Sequence, residues 1–229
     1  MGLGQLNSAA RSLGNVESSD LPRAGGVVRL ELSAFCTSAT RLAWAKASGC
    51  QWDGWTYALA AQGGHLEALR WAREHGCRWW STSTTAGRYG GGKASTASCR
   101  YAAEGGHLEV LKWLRDDGCP WDETGNAAAR AGHLEVLKWA RVQLHNCSFD
   151  RHTSASAAEG GHLVVLKWLR QVSCPWDALT CQLAAAGGHL EVLQWAREHD
   201  CPWDEAIVRA IAAERGHQEM LMWLDETGE

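Results

Sequence analysis

The sequence predicts an all-α fold, a helical-repeat solenoid of about seven stacked helix–turn–helix units, and three observations carry that expectation. The first is a recurring step: Gly64-His65, Gly106-His107, Gly132-His133, Gly161-His162, Gly188-His189 and Gly216-His217. The His-to-His intervals are 42, 26, 29, 27 and 28, so the repeat is about 27 residues, lengthened once by about 15. The second is the fixed wording around the step. Paired alanines precede it (Ala60-Ala61, Ala102-Ala103, Ala128-Ala129, Ala157-Ala158, Ala184-Ala185, Ala212-Ala213), and Trp71, Trp113, Trp139, Trp168, Trp195 and Trp223 follow at one offset. The third is a closing turn with cysteine, as in Cys119-Pro120-Trp121-Asp122. Its Cys lies six residues after a Trp in Trp44–Cys50, Trp71–Cys77, Trp113–Cys119, Trp168–Cys174 and Trp195–Cys201. Repetition thereby accounts for two unusual totals in 229 residues, 14 Trp against 2 Phe and 9 Cys.

In chain order, residues 1–26 are rich in Ser, Gly and Asn without a sustained period, which predicts a disordered leader ahead of a repeat region at 27–229. Such a leader could recruit a factor of its own. The first repeat is worn: Ala39–Ala45 reads as its second helix, with Ser38 where later repeats carry His. A degenerate end repeat is expected because one of its faces has no neighbour. Within each later repeat, Thr56, Ser98, Thr124, Thr153 and Thr180 fall nine residues before the His and are expected as N-caps or first-turn residues. The paired alanines let neighbouring helices approach closely, and the Gly before each His suits a helix C-cap with positive φ.

The second helix then places Leu190, Leu193 and Ala196 on one stripe, widened by Val192 and Trp195, with Glu191, Gln194 and Glu198 facing water. Glu109–Lys112 and Glu135–Lys138 are i,i+3 pairs on the wet face, and Asp116-Asp117 are expected as solvated charges at a helix end. Residues 80–95, rich in Ser, Thr and Gly, predict a flexible inserted loop. The fourth repeat adds two residues within Gln143–Cys147 and replaces the turn Trp with Phe149; Asp225–Glu229 form an acidic end.

The Ala-Ala-x-x-Gly-His-Leu-Glu-Val-Leu-Lys-Trp-Leu wording, as at Ala102–Leu114, resembles the ankyrin repeat over roughly residues 30–225. The repeat is shorter than the family norm of about 33 residues, and the family's Thr-Pro-Leu-His opening is absent. A tight Cys-Pro-Trp-Asp turn stands where the family has a β-hairpin finger, so the chain looks like a short, Trp-rich subclass with shortened fingers. The resemblance implies a concave, first-helix surface that binds a partner protein.

The chemistry-bearing residues mostly fall inside this pattern. Gly87–Lys93 matches a phosphate-binding GxxxxGK loop, but Ala94 stands where Ser or Thr would hold Mg²⁺, and no apolar strand precedes it. A nucleotide-binding protein is therefore the alternative reading and not the leading one. Equivalent histidines or cysteines in successive repeats would sit about 10 Å apart. A single zinc ion needs ligands within about 2.3 Å, and a disulfide needs Cα atoms within about 7 Å. The histidines are expected to bond backbone groups of their own or the next repeat, the cysteines to be small buried residues, and the Trp ladder to be packing between repeats. No metal, cofactor or catalytic triad is expected, and no enzymatic activity.

A net charge of −4 disfavours a sequence-independent nucleic-acid binder. No run of about 18 apolar residues suggests a membrane span, and the first 20 residues lack a secretory h-region. An odd cysteine set without a signal predicts a reducing compartment, cytoplasmic or nuclear, and the chain is expected to be a monomer. Positions that differ between repeats are free to recognise something. On the first helices these are Leu59, Gln62, Tyr101, Glu104, Arg130, Ser156, Glu159 and Leu183, with Arg100, Asn126 and Gln182 beside them. Tyr101 and Arg130 are the expected anchors, since Tyr and Arg are enriched at binding hot spots. The expected function is a non-enzymatic scaffold or adaptor binding a protein through these residues.

Overall fold

The computed structural model describes residues 37–47, 54–76, 94–121, 123–143 and 149–227, all within one compact unit spanning Ser33–Glu229. The leader 1–26, the Gly87–Lys93 loop and the cysteines at 50, 77 and 147 lie outside the described residues. Every described element is a helix. They are α1 (Ala39–Ala47), α2 (Gly54–Gln62), α3 (Leu66–Glu74), α4 (Ala94–Glu104), α5 (Leu108–Asp116), α6 (Thr124–Arg130) and α7 (Leu134–Gln143). Then come α8 (Arg151–Glu159), α9 (Leu163–Gln171), α10 (Ala178–Gly187), α11 (Leu190–Glu198), α12 (Glu205–Arg215) and α13 (Gln218–Thr227). From α2 onward they form helix pairs, and α1 is the second helix of the worn first repeat, packed on α3. The first helices α2, α4, α6, α8, α10 and α12 pack each on the next, which makes the chain a helical-repeat array. Among the described residues there is no strand, and Cys174–Asp177 and Cys201–Asp204 run as short irregular turns.

The alanines explain why the first helices stand so close. Ala60 and Ala61, Ala102 and Ala103, Ala128 and Ala129, Ala157 and Ala158, Ala184 and Ala185 are all buried. A larger side chain there would push two backbones apart. In α12, Ala212 is buried but Ala213 is exposed, because no described helix lies on its far side. The second helices bury Val110, Leu111 and Leu114, or Val192, Leu193 and Ala196, with Leu190 and Trp195 half-buried at the margins. The stripe is thus centred on Val192–Leu193–Ala196 and not on Leu190, since the helix is gripped between its own first helix and the neighbouring repeats. Glu109–Lys112 and Glu135–Lys138 close as ion pairs at 2.6 and 2.8 Å on the wet side.

Histidines join consecutive repeats. His107 Nε2 donates to Gln62 O at 2.8 Å, His133 to Glu104 O at 2.9 Å, His189 to Glu159 O at 2.9 Å and His217 to Ala186 O at 3.3 Å. His162 bonds Arg130 O in the same way. Each acceptor is a last-turn carbonyl of the preceding first helix, a group that has no intrahelical partner. The bond therefore reaches back to the preceding repeat, not forward. It needs glycine opposite: Gly106 has φ 73°, and a Cβ there would lie 2.5 Å from the His133 ring. Only Gly tolerates both that conformation and that approach.

The aromatic ladder also crosses repeats. Trp121 meets Trp139 at 5.9 Å between ring centroids, Phe149 meets Trp168 at 5.9 Å, Trp176 meets Trp195 at 5.7 Å and Trp203 meets Trp223 at 6.5 Å. Each turn aromatic thus leans on the second-helix Trp of the following repeat, and Phe149 keeps the contact in the fourth. Arginines cover the outer faces: Arg170 lies 4.3 Å over Trp176 and Arg197 lies 5.0 Å over Trp203. The helix Trp residues are packed against the core but only half-buried.

One sequence expectation is narrowed and another corrected. Thr124, Thr153 and Thr180 are first-turn residues, one of the two expected alternatives, Ser98 lies further into α4, and the side-chain N-caps are the turn aspartates. Asp150 accepts from His152 N and Thr153 N, Asp177 from Leu179 N and Asp204 from Ile207 N. Thr153 closes a capping box from three residues inside the helix, and the Ser98 and Thr180 hydroxyls are buried without a partner. Of the two carboxylates at the end of α5, Asp116 is solvated, but Asp117 pairs with Arg73 of the preceding repeat and its side chain is 6% exposed.

Candidate binding groove

The first-helix surface is built from positions that the stacking contacts leave free. The histidine takes only a backbone carbonyl from Gln62, Glu104, Arg130, Glu159 or Ala186, so those side chains can vary. Six residues before each His the chain places Leu59, Tyr101, Ala127, Ser156, Leu183 and Ile211. This row is bulky, then small across α6 and α8, then bulky again. The result is a groove of about 760 Å³ floored by Ala127, Ala131, Ala155 and Ser156 and walled by Arg100, Tyr101 and Glu104 on α4 and by Leu179 and Leu183 on α10. Glu123, Asn126, Arg130 and His152 complete the lining.

The polar groups of the groove are held by defined partners. Arg100 lies 5.1 Å over the Tyr101 ring, which fixes both side chains on one wall. Arg130 Nη2 pairs with Glu159 Oε2 at 2.8 Å across the α6–α8 boundary. Both side chains are partly exposed, so this pair contributes little to stability. Asn126 Oδ1 accepts from the Thr153 hydroxyl at 2.7 Å. With its oxygen so engaged, the Asn126 amide is oriented to present its N–H donors. Charges of both signs line the groove, Arg100 and Arg130 against Glu104 and Glu123, and neither sign dominates.

Of the sequence-derived candidates, Arg100, Tyr101, Glu104, Asn126, Arg130, Ser156 and Leu183 come together here, and Glu159 borders them through Arg130. Leu59 and Gln62 on α2 and Gln182 on α10 do not line this groove, and Leu59 packs against the core. The sequence reading missed Glu123, Ala127, Ala131, His152, Ala155 and Leu179. Glu123, His152 and Leu179 each lie four residues before Ala127, Ser156 and Leu183. Side chains at i and i+4 share a helix face, so extending the stripe by one turn would have found them. The small residues carry no signal of their own and matter only because their neighbours are large.

Among the described residues no cluster of His, Cys, Asp and Glu could hold a metal ion, and no helix is long and apolar enough to cross a membrane. No curated protein matches the chain. Residues 99–141, which carry one wall of the groove and half of its floor, match the family model described as ankyrin repeats (many copies). Over residues 99–141 the chain is therefore similar to ankyrin repeats, and that segment is set in an all-helical array whose other helix pairs pack in the same manner.

Proposed function

We propose that this chain is a non-enzymatic scaffold or adaptor that captures a partner protein in the groove across α4, α6, α8 and α10. Ankyrin repeats are generally protein–protein interaction modules. The observation that carries the reading further is the bulky–small–bulky profile from Tyr101 through Ala127 and Ser156 to Leu183, which leaves a groove over the middle of the array. Its mixed charge suits a polypeptide read by shape and hydrogen bonds better than a polyanion, which would face Glu104 and Glu123. Tyr101 and Arg130 are the proposed anchors, and the Asn126 amide is a donor for a partner carbonyl.

The test is affinity capture with mass spectrometry, run in parallel on the wild type, on Tyr101→Ala/Arg130→Ala, and on Ala127→Trp, which fills the floor. Circular dichroism shows whether each variant is folded. Proteins captured by the wild type and lost from both folded variants identify the groove's partners. Undiminished capture by both folded variants removes the groove from consideration.

A further inference from the structure

We propose that two buried cysteine pairs, Cys99–Cys119 and Cys181–Cys201, are oxidation sites at which a peroxide closes a disulfide inside a single repeat. Each pair joins a first helix, α4 or α10, to the turn that follows the second helix of the same repeat, and in both the two residues are 20 apart. All four are buried cysteines outside any disulfide, and within each pair the two side chains lie close enough to interact; the Cys201 thiol also lies 3.5 Å from Asp177 O. Of the two intervening repeats, the one formed by α8 and α9 shows that this proximity belongs to the repeat geometry. There Ser154 takes the helix position, and its Oγ lies 3.2 Å from Cys174 Sγ. Turn cysteines of successive repeats stand about 10 Å apart and fail the distance requirement of a bridge, whereas the positions paired within a repeat bring side-chain atoms to 3.2 Å in the Ser154–Cys174 case.

The pairs are chemically asymmetric in a way that suits the reaction. Contact with its partner pulls the Cys119 thiol below its ordinary range, and Cys181 likewise, and pushes Cys99 and Cys201 up. The easier thiolate of each pair attacks one peroxide oxygen. A sulfur–oxygen bond forms, the O–O bond breaks, and the leaving hydroxide takes up one proton, the one the attacking thiol lost, and departs as water. The partner sulfur then attacks the resulting sulfenic acid, the S–S bond forms, the S–O bond breaks, and a second water leaves with the partner's proton. Two thiols and one H₂O₂ give one disulfide and two waters.

Burial sets the rate. The turn is held by Cys119 N donating to Leu114 O at 2.9 Å and by Arg115 on the Cys119 carbonyl, so the peroxide enters only when these contacts open. The location adds meaning. Cys99 directly precedes Arg100 and Tyr101, and Cys181 directly precedes Gln182 and Leu183, so the two pairs lie under the two end walls of the groove. In the two repeats between them the same helix position holds Gly125 and Ser154, neither of which can bridge. This inference goes beyond the proposed function and is tested on bond connectivity alone, so either can fail without the other.

The test exposes the reduced full-length protein to hydrogen peroxide, alkylates the remaining thiols after denaturation, and maps the digest by mass spectrometry. Cross-linked peptides joining Cys99 to Cys119 and Cys181 to Cys201 are expected, formed faster at sub-denaturing urea, together with a higher melting temperature for the oxidised protein. Cys99→Ser/Cys181→Ser copies the Ser154 arrangement; it should melt like the reduced wild type and lose both cross-links and the oxidation-dependent rise. Quantitative alkylation of all four cysteines after oxidation, their recovery as sulfinic acids, or bridges from them to other cysteines would overturn the proposal. The wild-type map decides the matter even if the variant does not fold.

Discussion

At the scale of single residues, the repeats solve the same backbone problem with different side chains. Among the described residues, the one before a turn cysteine adopts left-handed geometry: Gly118 at φ 84°, Ser173 at 61° and Asp200 at 59°. Glycine is at ease there, whereas Ser and Asp carry a Cβ penalty. Nothing lies within 4 Å of a Cβ built at Gly118, so the penalty is confined to the backbone. Ser173→Gly is therefore expected to stabilise the protein by about 0.5–1 kcal/mol, and Asp200→Gly by somewhat less because Asp tolerates this region better. Thermal melts of the two variants check the sign, and a fall in melting temperature for Ser173→Gly would refute the account. The glycine of the Gly-His step differs, because it is fixed by the imidazole stacked against it as well as by its φ.

At the scale of elements, the helix starts show how a one-residue difference in spacing changes local structure. Asp150 and Asp177 lie twelve residues before their His, and both cap α8 and α10 from extended backbone. Asp122 lies eleven residues before His133, so α6 starts differently, with Glu123 at φ 56° and no side-chain cap. Asp177 also receives Arg151 from the preceding repeat at 3.3 Å, and its carbonyl accepts the Cys201 thiol at 3.5 Å. Removing the side chain in Asp177→Ala should cost about 1 kcal/mol, the usual worth of an N-cap, with the thiol contact intact because it uses the backbone. Asp177→Asn keeps the cap oxygen and loses the ion pair. Denaturant melts in which Asn falls as far as Ala would assign the effect to the ion pair instead. The capping aspartate was legible as part of the turn, but its role was not, since the repeat writes Thr and Asp with equal regularity and only the helix start separates cap from third residue.

At the scale of the whole array, the histidine bonds recur between consecutive repeats, and burial of two of the step histidines, His65 and His162, makes the stack sensitive to pH. Burial, followed by the neighbouring His107, lowers the pKa of His65; burial, with His189 and His133 opposing the bond to Arg130, lowers that of His162. A group whose folded pKa is depressed binds fewer protons folded than unfolded, so stability falls as pH drops below the ordinary imidazole value of 6.5. The melting temperature is expected to hold from pH 8 to about 7 and to decline toward pH 5.5, with a shallower decline in His162→Gln. A flat profile across that window in the wild type would contradict it. By itself the sequence determined the helix pairs, their period, the buried alanines and the Gly-His step, because each is imposed on every repeat by the same packing and so is written many times. It also pointed to most of the groove, since positions released from packing are the ones that vary. Only the tertiary structure decided that the histidines reach back to orphaned carbonyls, that Asp117 is paired, that Leu59 and Gln62 lie outside the groove, and that cysteines 20 residues apart meet. Each of these depends on which side chains of different helices face one another, a relation that a one-dimensional period cannot express. The groove is the clearest case: its depth comes from small residues on α6 and α8 standing between large ones on α4 and α10, and that contrast exists only once the helices are side by side.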